Sequence, residues 1–185
     1  MPFSKSIPGC ETDAEFKDFQ AFIENETQVD FKTILNHSFF SSNVFVEIEN
    51  FLSQLTIKNQ EEKSVFFARL TSQLQENVPE EITAKQLTPL LLQRMVLLDQ
   101  NAKHCFLQSF LSVATNPADE SNSILSPELF KEYVIPIITN IFHVRDMQIR
   151  LVLLKFLPNY VQMFSIDQLE DVILPLILLG TYLSG

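Results

Sequence analysis

The sequence predicts an all-α fold, a solenoid of antiparallel helix pairs whose C-terminal repeat is incomplete. Three observations carry that expectation. Apolar residues recur at helical spacing, glycine is nearly absent, and one proline-centred pattern returns three times. With 3 glycines in 185 residues, the chain has few of the φ > 0 positions that β-hairpins and phosphate-cradling loops need. It is 46% hydrophobic with 17 Phe and no Trp, enough apolar material for one sizeable core.

Helices are expected near 13–25, 30–37, 43–56, 60–76, 80–97, 100–114, 127–142, 146–163 and 166–182. Their starts carry capping signals: Thr12 with Glu15, Asn59 with Glu62, Thr83 with Gln86, and Ser165 with Gln168. At that spacing each side chain can satisfy a free amide of the first turn. Ser126-Pro127-Glu128 adds an N-cap followed by proline at the first helical position, where its missing N–H costs nothing. Between these marks Phe66, Leu70 and Leu74 share a face. Phe130, Val134, Ile137, Ile138 and Ile141 form a second, and Ile149, Val152, Leu153, Phe156 and Tyr160 a third. The polar stretch 115–123 is the one evident long loop.

The repeat emerges when Leu87-Thr88-Pro89-Leu90-Leu91, Val134-Ile135-Pro136-Ile137-Ile138 and Ile173-Leu174-Pro175-Leu176-Ile177 are aligned. The prolines are 47 and 39 residues apart, and the polar loop accounts for the difference. In the first two copies an Asp (Asp99, Asp146) follows the proline by ten residues, and a basic residue (Lys103, Arg150) by fourteen. A period of about 40 residues with two helices per unit is the signature of a HEAT-type α-solenoid. The alternative is an irregular helical bundle with three unrelated prolines. In the solenoid reading the proline bends the first helix and the Asp caps the second. The basic residue then pairs with an Asp of its own or the adjacent repeat. The third copy ends ten residues after Pro175, so its exposed final helix is expected to drive self-association.

Chemistry-bearing patterns are scarce. No Gly-rich phosphate loop, nucleophile elbow or CxxC occurs, so no enzyme activity, cofactor or metal is expected. His104 and Cys105 are adjacent on a helix, about 100° apart, and read as a surface His beside a buried Cys. Glu61-Glu62 and Glu80-Glu81 sit in first helical turns, where acids complement the macrodipole. The net charge of -10 opposes direct binding to nucleic acid or anionic lipid. Two distant cysteines and no signal peptide or membrane-length apolar run point to the cytoplasm.

Several segments resemble the Scy-like (SCYL) pseudokinases. Leu35-Asn36-His37-Ser38-Phe39-Phe40 is similar to the L-x-H-x-F-F that closes many kinase-like domains. Glu61-Glu62-Lys63 with Phe66-Phe67, then Gln86-Leu87-Thr88-Pro89-Leu90-Leu91, resemble the next helices of that family. Leu125-Ser126-Pro127-Glu128-Leu129-Phe130 and Val172-Ile173-Leu174-Pro175 continue the match. The resemblance implies that 1–42 is the end of a kinase-like domain and that 43–185 are HEAT-like repeats. It also implies a non-catalytic scaffold in membrane traffic at the Golgi, or linked through ezrin to the cell cortex. The partners would be proteins of the cytoskeleton or of vesicle coats, with membranes reached only through them. Two alternatives stand beside it: a fragment of a weakly active ATP-binding kinase, and an adaptor in tRNA export.

Overall fold

A computed structural model describes residues 13–25, 30–38, 43–114, 123–144 and 146–175. Among them every regular element is helical, as the sequence predicts. Helix α1 is Asp13–Asn25 and α2 is Phe31–Asn36. The first helix pair is α3, Val44–Ser53, with α4, Gln60–Asn77. Asn59 and Glu62 form the expected capping box at the start of α4.

The expected 80–97 helix is broken. It comprises α5 (Glu80–Ile82), a π-turn over Thr83–Leu87, α6 (Thr88–Leu91) and, after a break, α7 (Arg94–Leu98). Thr83 is therefore no N-cap: it lies inside the helix, buried, and Pro79 precedes the first turn instead. The 100–114 segment divides at Phe106 into α8 (Gln100–Cys105) and α9 (Leu107–Phe110). The next first helix is α10 (Pro127–Leu129), a π-turn over Phe130–Val134, and α11 (Ile135–His143). Ser126 holds the N-cap position, but its hydroxyl makes no capping bond. Helix α12, Met147–Phe156, stops where Pro158 enforces the 3₁₀ turn Leu157–Asn159. Finally α13, Ile166–Gln168, opens on the expected Ser165–Gln168 capping box and runs into a π-turn over Leu169–Ile173. Thr12, Arg145, Phe39, Phe40 and the segment after Pro175 lie outside the described residues.

The three π-turns have one cause. Proline lacks an N–H, and its ring collides with the carbonyl four residues back. In each copy the residue before the proline bonds five residues back instead of four, which widens the turn. Thr88 donates to the Thr83 carbonyl, Ile135 to that of Phe130, and Leu174 to that of Leu169. The register against Pro89, Pro136 and Pro175 is identical, and all three rings face solvent.

Stacking of like on like makes the solenoid. Among first helices α3 packs on α6, the first π-turn on the second, and α11 on the third. The second helix α4 packs along the second helix α8, while α12 packs against α7, the end of the preceding first helix. One contiguous core runs from Ile48 to Ile173. A file of aromatic rings threads its first half. Phe51 stacks on Phe66 at 3.9 Å, Phe66 meets Phe67 edge-on at 5.3 Å, and Phe106 and Phe110 continue at 6.3 and 5.2 Å. In the second half Phe130, Tyr160 and Phe164 do the same at 6.0 and 6.1 Å. The Tyr160 hydroxyl donates to the Leu153 carbonyl at 2.8 Å, and its burial pushes the phenol well above its ordinary pKa.

Candidate interaction surface

The polar features of the stack concentrate at the turns that open the second helices. Each opens on a residue with a short side-chain acceptor, because the first amides of a helix have no partner within it. Asp99 Oδ1 accepts from the amides of Asn101 at 2.8 Å and Ala102 at 3.1 Å. Asp146 Oδ1 accepts from Gln148 at 3.0 Å and Ile149 at 3.4 Å. Both carboxylates then have a second oxygen to spend on a cation.

Those cations are not the ones the spacing singles out. Lys63 Nζ lies 3.8 Å from Asp99 Oδ2, with side chains only 11% and 6% exposed. Arg94 Nε lies 2.7 Å from Asp146 Oδ2, and its Nη2 donates to Gln148 at 3.3 Å. Lys103 and Arg150 form no ion pair among the described residues, and Arg150 Nε is buried without a hydrogen-bond partner. A signal for Lys63 is nonetheless present. Asn59 is the N-cap of α4 as Asp99 is of α8, so Lys63 stands four residues after its cap, as do Lys103 and Arg150. No proline marks that first copy, which is why the proline alignment passes over it.

The Arg94 guanidinium, with the two cap amides, holds Asp146 below its ordinary pKa. A carboxylate depressed on folding contributes stability above its unfolded pKa and loses that contribution as pH falls through the folded one. The melting temperature of Arg94→Gln should thus lie below that of the parent at neutral pH. The gap should hold at neutral pH and close only as the pH falls below the ordinary carboxylate range and Asp146 protonates. Thermal melts across that range check it, and a gap that persists at the acid end contradicts it.

A second feature lies between α3 and α4. Phe51, Phe66 and the 56%-exposed Val65 floor a shallow depression of about 300 Å³, rimmed by Glu61, Glu62 and Arg69. Lys58 covers the Phe51 ring at 5.3 Å and pairs with Glu62 at 3.5 Å. Arg69 pairs with Glu47 at 2.9 Å. This is an apolar contact patch with charges of both signs at its edge, at the small end for a ligand cavity.

The remaining candidates are dispersed. His104 and Cys105 are both exposed, a correction to the expected buried Cys: the helix breaks at Phe106, and that ring takes the inward position. Glu80 accepts a hydrogen bond from the Ser126 amide and so ties two first helices together. His37 sits between the Phe19 and Phe22 rings at 5.3 and 4.7 Å. Among the described residues no group of His, Cys, Asp and Glu could hold a metal ion. No described helix is long and apolar enough to cross a membrane.

No family model and no solved structure matches the chain. Several known proteins do. The mouse "Protein-associating with the carboxyl-terminal domain of ezrin" is 40% identical over 149 residues, covering 80% of this chain and 20% of the mouse protein. The "Probable inactive serine/threonine-protein kinase scy1" of Dictyostelium discoideum is 27% identical over 158 residues, covering 85% and 18%. The chain therefore spans about one fifth of the length of these relatives. Across that shared segment it is similar to the Scy1-like pseudokinase proteins, the family its motifs resemble.

Proposed function

We propose that this chain is a non-catalytic interaction scaffold, the HEAT-repeat segment of a pseudokinase serving membrane traffic or linkage to the cortical cytoskeleton. The observation that carries the reading is the 40% identity to a protein named for its association with ezrin. The name of the second relative, an inactive kinase, supports the absence of catalysis. The fold is of a matching kind: stacked helix pairs with a thrice-repeated proline register present extended surfaces for proteins. In this reading residues 1–42 close a kinase-like domain and 43–185 are the repeats. Pro89, Pro136 and Pro175 then shape the first helices, while Asp99 with Lys103 and Asp146 with Arg150 mark the turns. Ile166 and Leu174, 72% and 50% exposed, are the apolar residues through which copies would self-associate.

The test is nucleotide chemistry. Millimolar Mg-ATP is expected to leave the melting temperature unchanged, since a ligand shifts it only by binding the native state. The protein is also expected to release no phosphate above a blank. A saturable upward shift accompanied by phosphotransfer would replace the scaffold with a weak kinase.

A further inference from the structure

The seam between the first and second helix pairs and the seam between the second and third place similar residues at matching positions, yet they are joined differently. Counted from the N-caps Asn59 and Asp99, the cation four residues into each second helix is Lys63 in α4 and Lys103 in α8. At the first seam α8 lies along α4, and its cap Asp99 takes Lys63. Asn101, two residues after that cap, donates to Gln60 at 3.3 Å, and Phe106 stacks on Phe67. The same pairings at the second seam would join Asp146 to Lys103, Gln148 to Gln100 and Leu153 to Leu107. The two polar ones are not made among the described residues. There α12 lies against α7, Arg94 holds both Asp146 and Gln148, and Lys103 is left half-buried without an ion pair. Arg94 has no counterpart at the first seam: it stands five residues before Asp99, and five residues before Asn59 stands Gln54.

We propose that the second seam is a hinge with two seats, latched by Arg94: once released, the third pair swings until α12 lies along α8 and Asp146 pairs with Lys103, as Asp99 pairs with Lys63. The residues of that second seat are all present, with Leu107 and Leu153 standing where Phe67 and Phe106 stand at the first seam, and both buried. The latch wins in the observed seat because one guanidinium serves two acceptors at once, Asp146 at 2.7 Å and Gln148 at 3.3 Å. Its hold is light. The Arg94 and Asp146 side chains are 56% and 20% exposed, and an ion pair open to water contributes little. Two packings separated by so small a difference suit a discrete hinge. The aromatic file breaks at the same place: among the described residues no ring contact joins Phe110 to Phe130. Glu80, bonded to the Ser126 amide, ties the two first helices and serves as the pivot. The device is internal to the chain and independent of what the stack binds.

The experiment is a distance measurement by double electron–electron resonance on the full chain. Spin labels go on Gln108→Cys and Lys155→Cys, two exposed positions that stand equally far from the caps Asp99 and Asp146, with Cys10→Ser and Cys105→Ser removing the native thiols. The parent is expected to show one main separation. Arg94→Gln should shift the main separation to a shorter one, as α12 moves onto α8. Lys103→Gln alone should leave the parent distance unchanged, and added to Arg94→Gln it should abolish the shift. Arg94→Lys keeps the charge but gives up the two-acceptor grip. It should shift part of the population, and it covers the case in which Arg94→Gln does not fold. An unchanged separation in the Arg94 variants, or a shortened one that survives Lys103→Gln, overturns the proposal.

Discussion

Phe67→Ala is expected to destabilise the protein by about 3–5 kcal/mol, the largest effect of any single truncation in the first half of the stack. Phe67 is fully buried and touches aromatic rings of both its own and the following helix pair, Phe66 at 5.3 Å and Phe106 at 6.3 Å. Its loss removes the transfer free energy of a whole ring and opens a cavity at the α4–α8 interface, which neighbours locked in their own stacks cannot fill. Domains of this size are stable by only about 5–15 kcal/mol, so much of the native margin would go. Urea denaturation followed by far-UV circular dichroism reads the change. Phe67→Leu, which keeps most of the volume, should recover more than half of it. Similar losses for Ala and Leu would mean that ring stacking, not volume, holds this interface.

Asp99→Ala is expected to cost about 3–5 kcal/mol, close to the core truncation although no apolar contact is lost. Two roles end together. The Asn101 and Ala102 amides lose their acceptor, worth about 1 kcal/mol for a helix cap, and Lys63 keeps its charge in a site where it is 11% exposed. Asp99→Asn separates these roles, because an amide oxygen still caps α8 while the charge is gone. It should therefore fall between Ala and the parent. An Asn variant as damaged as Ala would show that the charge is the whole effect.

The helical class, the single core and most first turns were legible in the sequence because they depend on neighbours within one helical turn. The Asn59–Glu62 and Ser165–Gln168 boxes are of this kind. Thr83–Gln86 shows where such a rule stops: the same spacing lies inside a helix whose first turn begins three residues earlier, at Glu80. The proline positions were legible, but the π-turns before them were not. The sequence marks the residue that causes the strain and leaves open how the backbone relieves it. The cations that reach Asp99 and Asp146 were not legible either. Lys63 and Arg94 are 36 and 52 residues away in the chain, and only the stacking of helices brings them close. The same limit explains Cys105, whose exposure is decided by a helix break that composition does not signal.

At the centre of the account is the coupling of successive helix pairs through an N-cap carboxylate and the cation of the preceding pair. A double-mutant cycle with Lys63→Met, Asp99→Asn and the double variant, read by urea denaturation, measures that coupling directly. The account predicts that the double variant is more stable than the sum of the single losses allows, by about 1 kcal/mol or more. Strict additivity of the two losses would contradict it and leave the contact between the pairs to packing, not to this charge pair.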